Sequence, residues 1–508
     1  MTSSMDFVAL RALLQPERLA VVDLARGERW TRAELNRAVA QGVTQLRRMG
    51  VREGDRVGAL ARNSGELLIL HLACTRLGAI YVPLNWRLNP QELRAILADA
   101  APRVLLGDGC LDAAGLSGLS LEEFARDRKR QVPAGPTAMP MDRPSLILYT
   151  SGTCGQPKGV VLTENQLNET ARNTVPLCRI TRESVFLVDA PMFHVIGLVV
   201  NIRPALTMGG SVVISDGFVP ARTLERLSDP ALGVTHYFCV PQMAAALRAD
   251  RAYDPALLRR LTALFTGGAH HPAAHIHQWL ADGILAVDGY GMSETGTVFG
   301  MPIDAGLIAT HAGSVGQAPP GLACRIVQAD GRTCAPDEPG ELLVKGPNVM
   351  RGYWQRPEET AQAFAADGWF RTGDIVRRDA QGFHWLIGRS KEMYISGGEN
   401  IYPAEIETVL AGDPGIEECA VVGVPDERWG EVGHLFVKPV AGMSLDPARI
   451  AATLERTIAR YKLPKRICEV QLLPRNGAGK VLKCRLRQLA LTALANEAQV
   501  RPVSAAVA

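Results

Sequence analysis

Apolar residues recur at helical spacing early in the chain. Leu35, Val39, Val43 and Leu46 follow Thr31 and Glu34, which stand at capping-box spacing, and Gly50 ends the run. Residues 56–60 then read as a short strand, 66–77 as a second helix and 80–82 as the next strand. That alternation predicts parallel sheets wrapped by helices. The triplet Leu146, Ile147 and Leu148 predicts a buried strand, entered through the polar, proline-containing segment 134–144. Further on, 404–410 reads as a helix and 419–424 as a strand. The predicted fold class is therefore α/β (α+β). A boundary near 389–391 divides a large N-terminal domain, residues 1–389, from a small C-terminal α/β domain, residues 390–508. The most apolar stretch, 67–84, is interrupted by His71 and Arg76, so no transmembrane segment is predicted.

The strand at 146–148 runs into YTSGTCGQPKGV, residues 149–160. This stretch offers the hydroxyls of Tyr149, Thr150, Ser151 and Thr153, three glycines and Lys158. Glycines let successive backbone N–H groups approach one ligand, and hydroxyls with an ammonium add donors and positive charge, a combination suited to phosphate oxygens. It is not a Walker A loop, because Pro157 and Gly159 flank the lysine where that pattern needs Gly and Ser or Thr. Further glycine-rich or polar stretches follow in order: PMFHVIG around His194, FTGGA around Gly267, DGYGMSETG at 288–296, TGD ending at Asp374, GRSK at 388–391, SGGEN around Gly397 and Gly398, and NGAGK ending at Lys480.

Composition narrows the picture without changing it. With 508 residues the chain is long enough for two or three domains, and 47% apolar with 21% charged residues is ordinary for a globular protein. A net charge of +3 gives no signal of nucleic acid. The ten cysteines are scattered with no CxxC pair, against a zinc ribbon or a disulfide framework. The opening residues, with Asp6 and no long apolar core, do not read as a secretory signal, and a cytoplasmic location is expected. Arg126, Arg128, Lys129 and Arg130 read as a solvated basic face. His270, His271, His275 and His277 read as a solvated helix start, with metal binding as the alternative.

The order of these motifs, from 149 to 480, resembles the adenylate-forming superfamily: acyl-CoA synthetases, peptide-synthetase adenylation domains and luciferase. Its pattern is similar to that of bacterial fatty acyl-CoA and feruloyl-type CoA synthetases. The family usually has Ser or Thr where this chain has Cys154. The resemblance implies ATP, Mg²⁺ and coenzyme A as co-reactants, and a small-molecule carboxylic acid as substrate. A homodimer is one assembly it allows. It places Lys480, Glu294 and Thr153 in catalysis, with Glu294 also the metal ligand. It assigns ATP and AMP binding to Thr150, Ser151, Gly152, Thr153, Lys158, Gly268, Ala269, Asp288, Gly289, Tyr290, Gly291, Met292, Ser293, Asp374, Arg389 and Lys480. The acyl pocket would involve His194, Gly197, Gly291 and Met292, with Gly197 leaving space for substrate. Gly397 and Gly398 would line the coenzyme A channel, and Lys391 would be the hinge of a mobile C-terminal domain. The acid itself depends on which side chains of 194–198, 238–242 and 291–298 point inward. Because 189–200 carries no basic residue, a monocarboxylic fatty or aromatic (hydroxycinnamate-type) acid is expected. The alternatives are an acyl-AMP ligase that loads a carrier protein and a non-catalytic acyl- or nucleotide-binding homologue.

Overall fold

In the computed structural model, residues 3–4, 6–135, 139–150, 157–269, 271–475 and 481–500 are described, and Ser151, Gly152, Thr153, Cys154, His270 and Lys480 lie outside them. The expected first helix forms over Arg32–Arg48 with a full capping box: Glu34 N–H donates to Thr31 Oγ1 at 3.2 Å, and Thr31 N–H donates to Glu34 Oε2 at 2.8 Å. Leu35, Val39, Val43 and Leu46 are all buried on its inner face.

Two large sheets carry the N-terminal part. In one, Arg56–Leu60, Ile80–Pro83, Val104–Gly107 and Leu119–Ser120 run parallel, and Ile80–Pro83 pairs in parallel with Pro144–Thr150. Lys158–Thr163 then returns antiparallel beside Pro144–Thr150. The other sheet has Leu19–Asp23, Ser211–Ile214, Val185–Val188, His236–Cys239, Ala263–Thr266 and Ala286–Met292 in parallel order, closed at its ends by the antiparallel strands Glu28–Thr31 and Gly296–Gly300. The sheets are thus mixed, with parallel centres and antiparallel edges.

Gly65–Leu77, the helix within the most apolar stretch, is buried on every side as far as Arg76 and belongs to the core shared by both sheets. Its charged residues are matched rather than solvated. Arg76 pairs with Asp6 at 2.6 Å, and Glu66 accepts from Arg128 Nε at 3.0 Å, with Arg128 only 1% exposed. Arg126, Lys129 and Arg130 are exposed as expected, but the reading of a solvated basic face is corrected for Arg128, which turns inward because a buried carboxylate needs a charged donor. Among the described residues, no helix is long and apolar enough to cross a membrane.

A four-stranded antiparallel sheet follows, of Ala323–Val327, Gly340–Lys345, Phe370–Arg378 and His384–Arg389. After Arg389 the strands change partners. Tyr394–Ser396, Glu399–Ile401, Ile416–Asp426, Gly430–Pro439 and Arg466–Glu469 form a separate sheet with its own apolar clusters.

Candidate active site

One cavity of about 830 Å³ opens where these sheets meet, and its wall includes Thr150, Lys158, His194, Gly268, Asp288, Glu294, Arg389 and Lys391. At one side, Thr150 and Lys158 face each other across the antiparallel pair, with Thr150 Oγ1 donating to the Lys158 carbonyl at 3.4 Å. Lys158 Nζ sits 5.2 Å from the centre of the Tyr353 ring, and the Tyr353 hydroxyl donates to Glu294 Oε1 at 3.0 Å. Burial pushes the Glu294 carboxyl above its ordinary range, against the pull of that hydrogen bond. A buried carboxylate on a cavity wall with so little neutralisation fits a hard cation such as Mg²⁺. Among the described residues no three His, Cys, Asp or Glu side chains cluster as a metal site. Glu294 would therefore hold such an ion together with oxygens of a bound phosphate.

The second group is built by strand register. Asp374 and Arg389 are cross-strand partners, and Arg389 Nε lies 3.0 Å from Asp374 Oδ1. The Tyr290 hydroxyl donates to the other oxygen of Asp374 from the neighbouring sheet. Asp374 is 1% exposed and its own N–H is taken by Thr372 Oγ1 at 3.1 Å. Tyr290 and Arg389 thus reach different oxygens of one buried carboxylate.

Asp288 ends the run of parallel pairing and is buried, which raises its carboxyl to about 8 even though the Thr266 hydroxyl donates to it at 3.0 Å. The same hydroxyl lies 2.9 Å from His271 Nδ1. His271 is 1% exposed, which corrects the expectation of a solvated histidine group: its ring completes a polar chain inside the core rather than starting an exposed helix. His277 is exposed as expected, and His275 is half-buried.

The remaining wall is apolar. His194, Phe193, Val195, Ile196 and Val200 approach it from one side, Phe238, Phe265 and Phe299 from others. Phe238 and Phe265 are register partners whose rings stack with centroids 4.5 Å apart. Burial, with a smaller contribution from Arg87, lowers His194 to about 4, so its ring is neutral near neutral pH. Gly291, Met292 and Ser293 also line the cavity, as does Gly289. Gly267 and Gly268 line it too, with Ala269 exposed just beyond.

Gly197 does not line this cavity. A Cβ there would lie 2.2 Å from the Pro191 carbonyl oxygen, so the missing side chain admits backbone and not substrate. The expectation that Gly197 leaves room for substrate is corrected by that contact. Gly397 and Gly398 likewise lie outside the cavity. They form the two-residue turn between the paired strands Tyr394–Ser396 and Glu399–Ile401, with φ of +59° and +88°. Such a hairpin turn needs positive φ at both positions. Sequence reasoning did not single out Tyr353, whose hydroxyl donates to Glu294, nor the Thr174 and Thr297 hydroxyls of the apolar wall. Tyr353 comes from an edge strand of the first sheet, and only pairing with Lys158–Thr163 brings it to the site.

A buried acid held by a tyrosine hydroxyl and a guanidinium, a buried carboxylate near a lysine and an apolar pocket around one cavity define a class: enzymes that hold a nucleotide beside an apolar substrate. The chain belongs to the AMP-binding enzyme family, which matches residues 9–354, with the AMP-binding enzyme C-terminal domain matching 405–480. It is similar to a feruloyl-CoA synthase of an Amycolatopsis species, 39% identical over 94% of this chain and 97% of that protein. An indoleacetate–CoA ligase of Aromatoleum aromaticum is 40% identical over 90% of this chain and 92% of its own. Among solved structures, o-succinylbenzoate CoA synthetase from Bacillus subtilis with its acyl-adenylate intermediate aligns with a TM-score of 0.86 at 29% identity, over 96% of this chain and 99% of that one. The same enzyme with ATP and magnesium ion aligns at 0.85.

Proposed function

We propose that this chain is an ATP-dependent carboxylate–CoA ligase that acts through an acyl-adenylate on an aromatic monocarboxylic acid. The observation that carries the reading is a single cavity lined by Tyr290 and Arg389, the partners of buried Asp374, by Glu294, Tyr353 and Lys158, and by a wall of phenylalanines. Asp374 accepts the ribose hydroxyls, and Arg389 and Tyr290 hold its carboxylate in place. Lys158 and Thr150, with Ser151, Gly152 and Thr153 beyond them, meet the departing pyrophosphate. Glu294 would hold Mg²⁺, which would supply charge neutralisation. The wall around Phe238, Phe265 and Phe299 takes a flat apolar body, and neutral His194 offers no charge to a second carboxylate. The names of two relatives reported above, a feruloyl and an indoleacetate enzyme, support an aromatic acid over a fatty one.

The second half-reaction is assigned to a rotated arrangement of the segment after Lys391, in which Gly397 and Gly398 border the coenzyme A channel. Lys480 serves the first half alone. Lys480→Ala should therefore lower acid-dependent pyrophosphate release by about two to three powers of ten, as expected for one preorganised charge. Synthetic acyl-AMP and CoA should still give thioester near the original rate. Equal damage to both halves would refute the alternation. AMP release that free CoA leaves unchanged would point instead to transfer onto a carrier protein.

A further inference from the structure

The helix Glu164–Leu177 lies against the strand Gly296–Gly300, close enough that a Cβ on Gly296 would meet the Thr170 side chain at 2.4 Å and one on Gly300 would meet Leu177 at 3.1 Å. Thr174 falls between these contacts, level with Thr297, and both residues line the cavity. Their hydroxyl oxygens are 2.8 Å apart. Thr174 Oγ1 is also 2.8 Å from the Thr170 carbonyl oxygen, four residues back in its helix.

These two distances fix where the protons are. A carbonyl only accepts, so the Thr174 proton must lie on the Thr170 oxygen. The contact between the two hydroxyls then requires the Thr297 proton. Thr297 Oγ1 has spent its one proton and keeps only lone pairs, with no further hydrogen bond given to it among the described residues. Phe299, two residues along the same strand, lines the same cavity, because alternate strand residues share a face. The wall thus combines an aromatic surface with an oxygen that can accept and cannot donate.

We propose that Thr297 is a specificity-determining residue that accepts a hydrogen bond from an O–H or N–H carried on the acid's aromatic body. The chain then selects aromatic acids bearing such a donor over isosteres that lack it or offer only an acceptor. This rests on the ligase reading above. An ether oxygen placed against Thr297 would set lone pair against lone pair, and a bare ring would leave the acceptor unmatched.

The test is initial-rate pyrophosphate release by the full chain with ATP and CoA. One series compares para-hydroxycinnamate with para-methoxycinnamate and cinnamate, and a second compares indoleacetate with its N-methyl analogue. The donor-bearing acid of each series should lead in kcat/KM by about tenfold, the worth of one net neutral hydrogen bond. In Thr297→Val, which keeps the volume, that ratio should fall towards one. In Thr297→Ser, which keeps the oxygen, it should persist. A wild-type ratio near one, or a ratio that survives in Thr297→Val, overturns the inference while leaving the ligase reading intact. Absence of acid-dependent pyrophosphate release with every acid overturns the ligase reading and the inference with it.

Discussion

The polar and apolar ends of the cavity solve opposite problems. At the polar end, acids are buried beside specific donors: Glu294 beside Tyr353, and Asp374 beside Tyr290 and Arg389. Burial alone would neutralise them, and it does raise Glu294. They are poised for partners that arrive with the substrate, a cation or hydroxyl donors. At the apolar end, the His194 ring is kept neutral and stands with phenylalanine rings and the Thr174 and Thr297 hydroxyls. The polar end is completed by charged and hydroxyl-bearing ligands, whereas the apolar end asks for no more than one donor to Thr297. Loss of one group should accordingly cost rate at the polar end, and only selectivity or stability elsewhere.

The largest effect expected from that contrast is at Glu294. Glu294→Gln keeps the shape and removes the charge, and adenylate formation should fall about a thousandfold, the upper part of the range for a preorganised electrostatic group. Stopped-time pyrophosphate assays at saturating Mg²⁺ would measure it, and a loss under tenfold would remove Glu294 from the metal's side. Asp374→Asn should cost about a hundredfold, mainly as a raised KM for ATP, because an amide nitrogen would face Arg389 or Tyr290 and disturb both. If the KM for ATP stayed constant while kcat fell, Asp374 would be acting on the chemistry rather than on the nucleoside.

Gly197→Ala tests the correction made to the pocket. Its Cβ would meet the Pro191 carbonyl oxygen at 2.2 Å, so thermal stability should drop by about 1–3 kcal/mol with the acid preference unchanged in whatever folds. A changed acid preference at unaltered melting temperature would return Gly197 to the substrate side.

Asp288 separates burial from function by pH. Its carboxyl stands at about 8 in the folded chain against 3.8 in the unfolded one. The folded state therefore keeps a proton that the unfolded state has lost throughout that window. The stabilisation it brings is whole below the lower value and disappears as pH rises to the upper one. Asp288→Asn, which mimics the neutral acid, should flatten the decline of Tm between about pH 5 and pH 8. Parallel wild-type and variant curves would show that the carboxyl is ionised in the fold.

The smallest effect belongs to His194. With its pKa near 4, the ring has no proton to lose near neutrality, so His194→Phe should leave the shape of the kcat/KM profile for the acid unchanged between about pH 5.5 and pH 7.5. A wild-type inflection that vanishes in the variant would place a charged histidine in the pocket.

Much of this was legible in one dimension. The capping box at Thr31 and Glu34 and the strand before Thr150 follow from local pattern, because caps and strand faces are set by near neighbours. The cluster of Asp374 with Arg389 is nearly as local, since two adjacent antiparallel strands bring them opposite. What local pattern cannot show is which face of a residue meets something distant. Arg128 reads as one more solvated cation until Glu66, on the buried helix, is placed against it. His271 reads as surface until Thr266 and Asp288 close around it. Gly197 reads as empty space until the Pro191 carbonyl fills it. In each case the deciding partner is fixed by packing and not by spacing, and burial without that partner would be too costly to occur. The direction of the Thr174–Thr297 hydrogen bond is of the same kind: two ordinary hydroxyls in the sequence acquire a defined donor and acceptor only when helix and strand are pressed together.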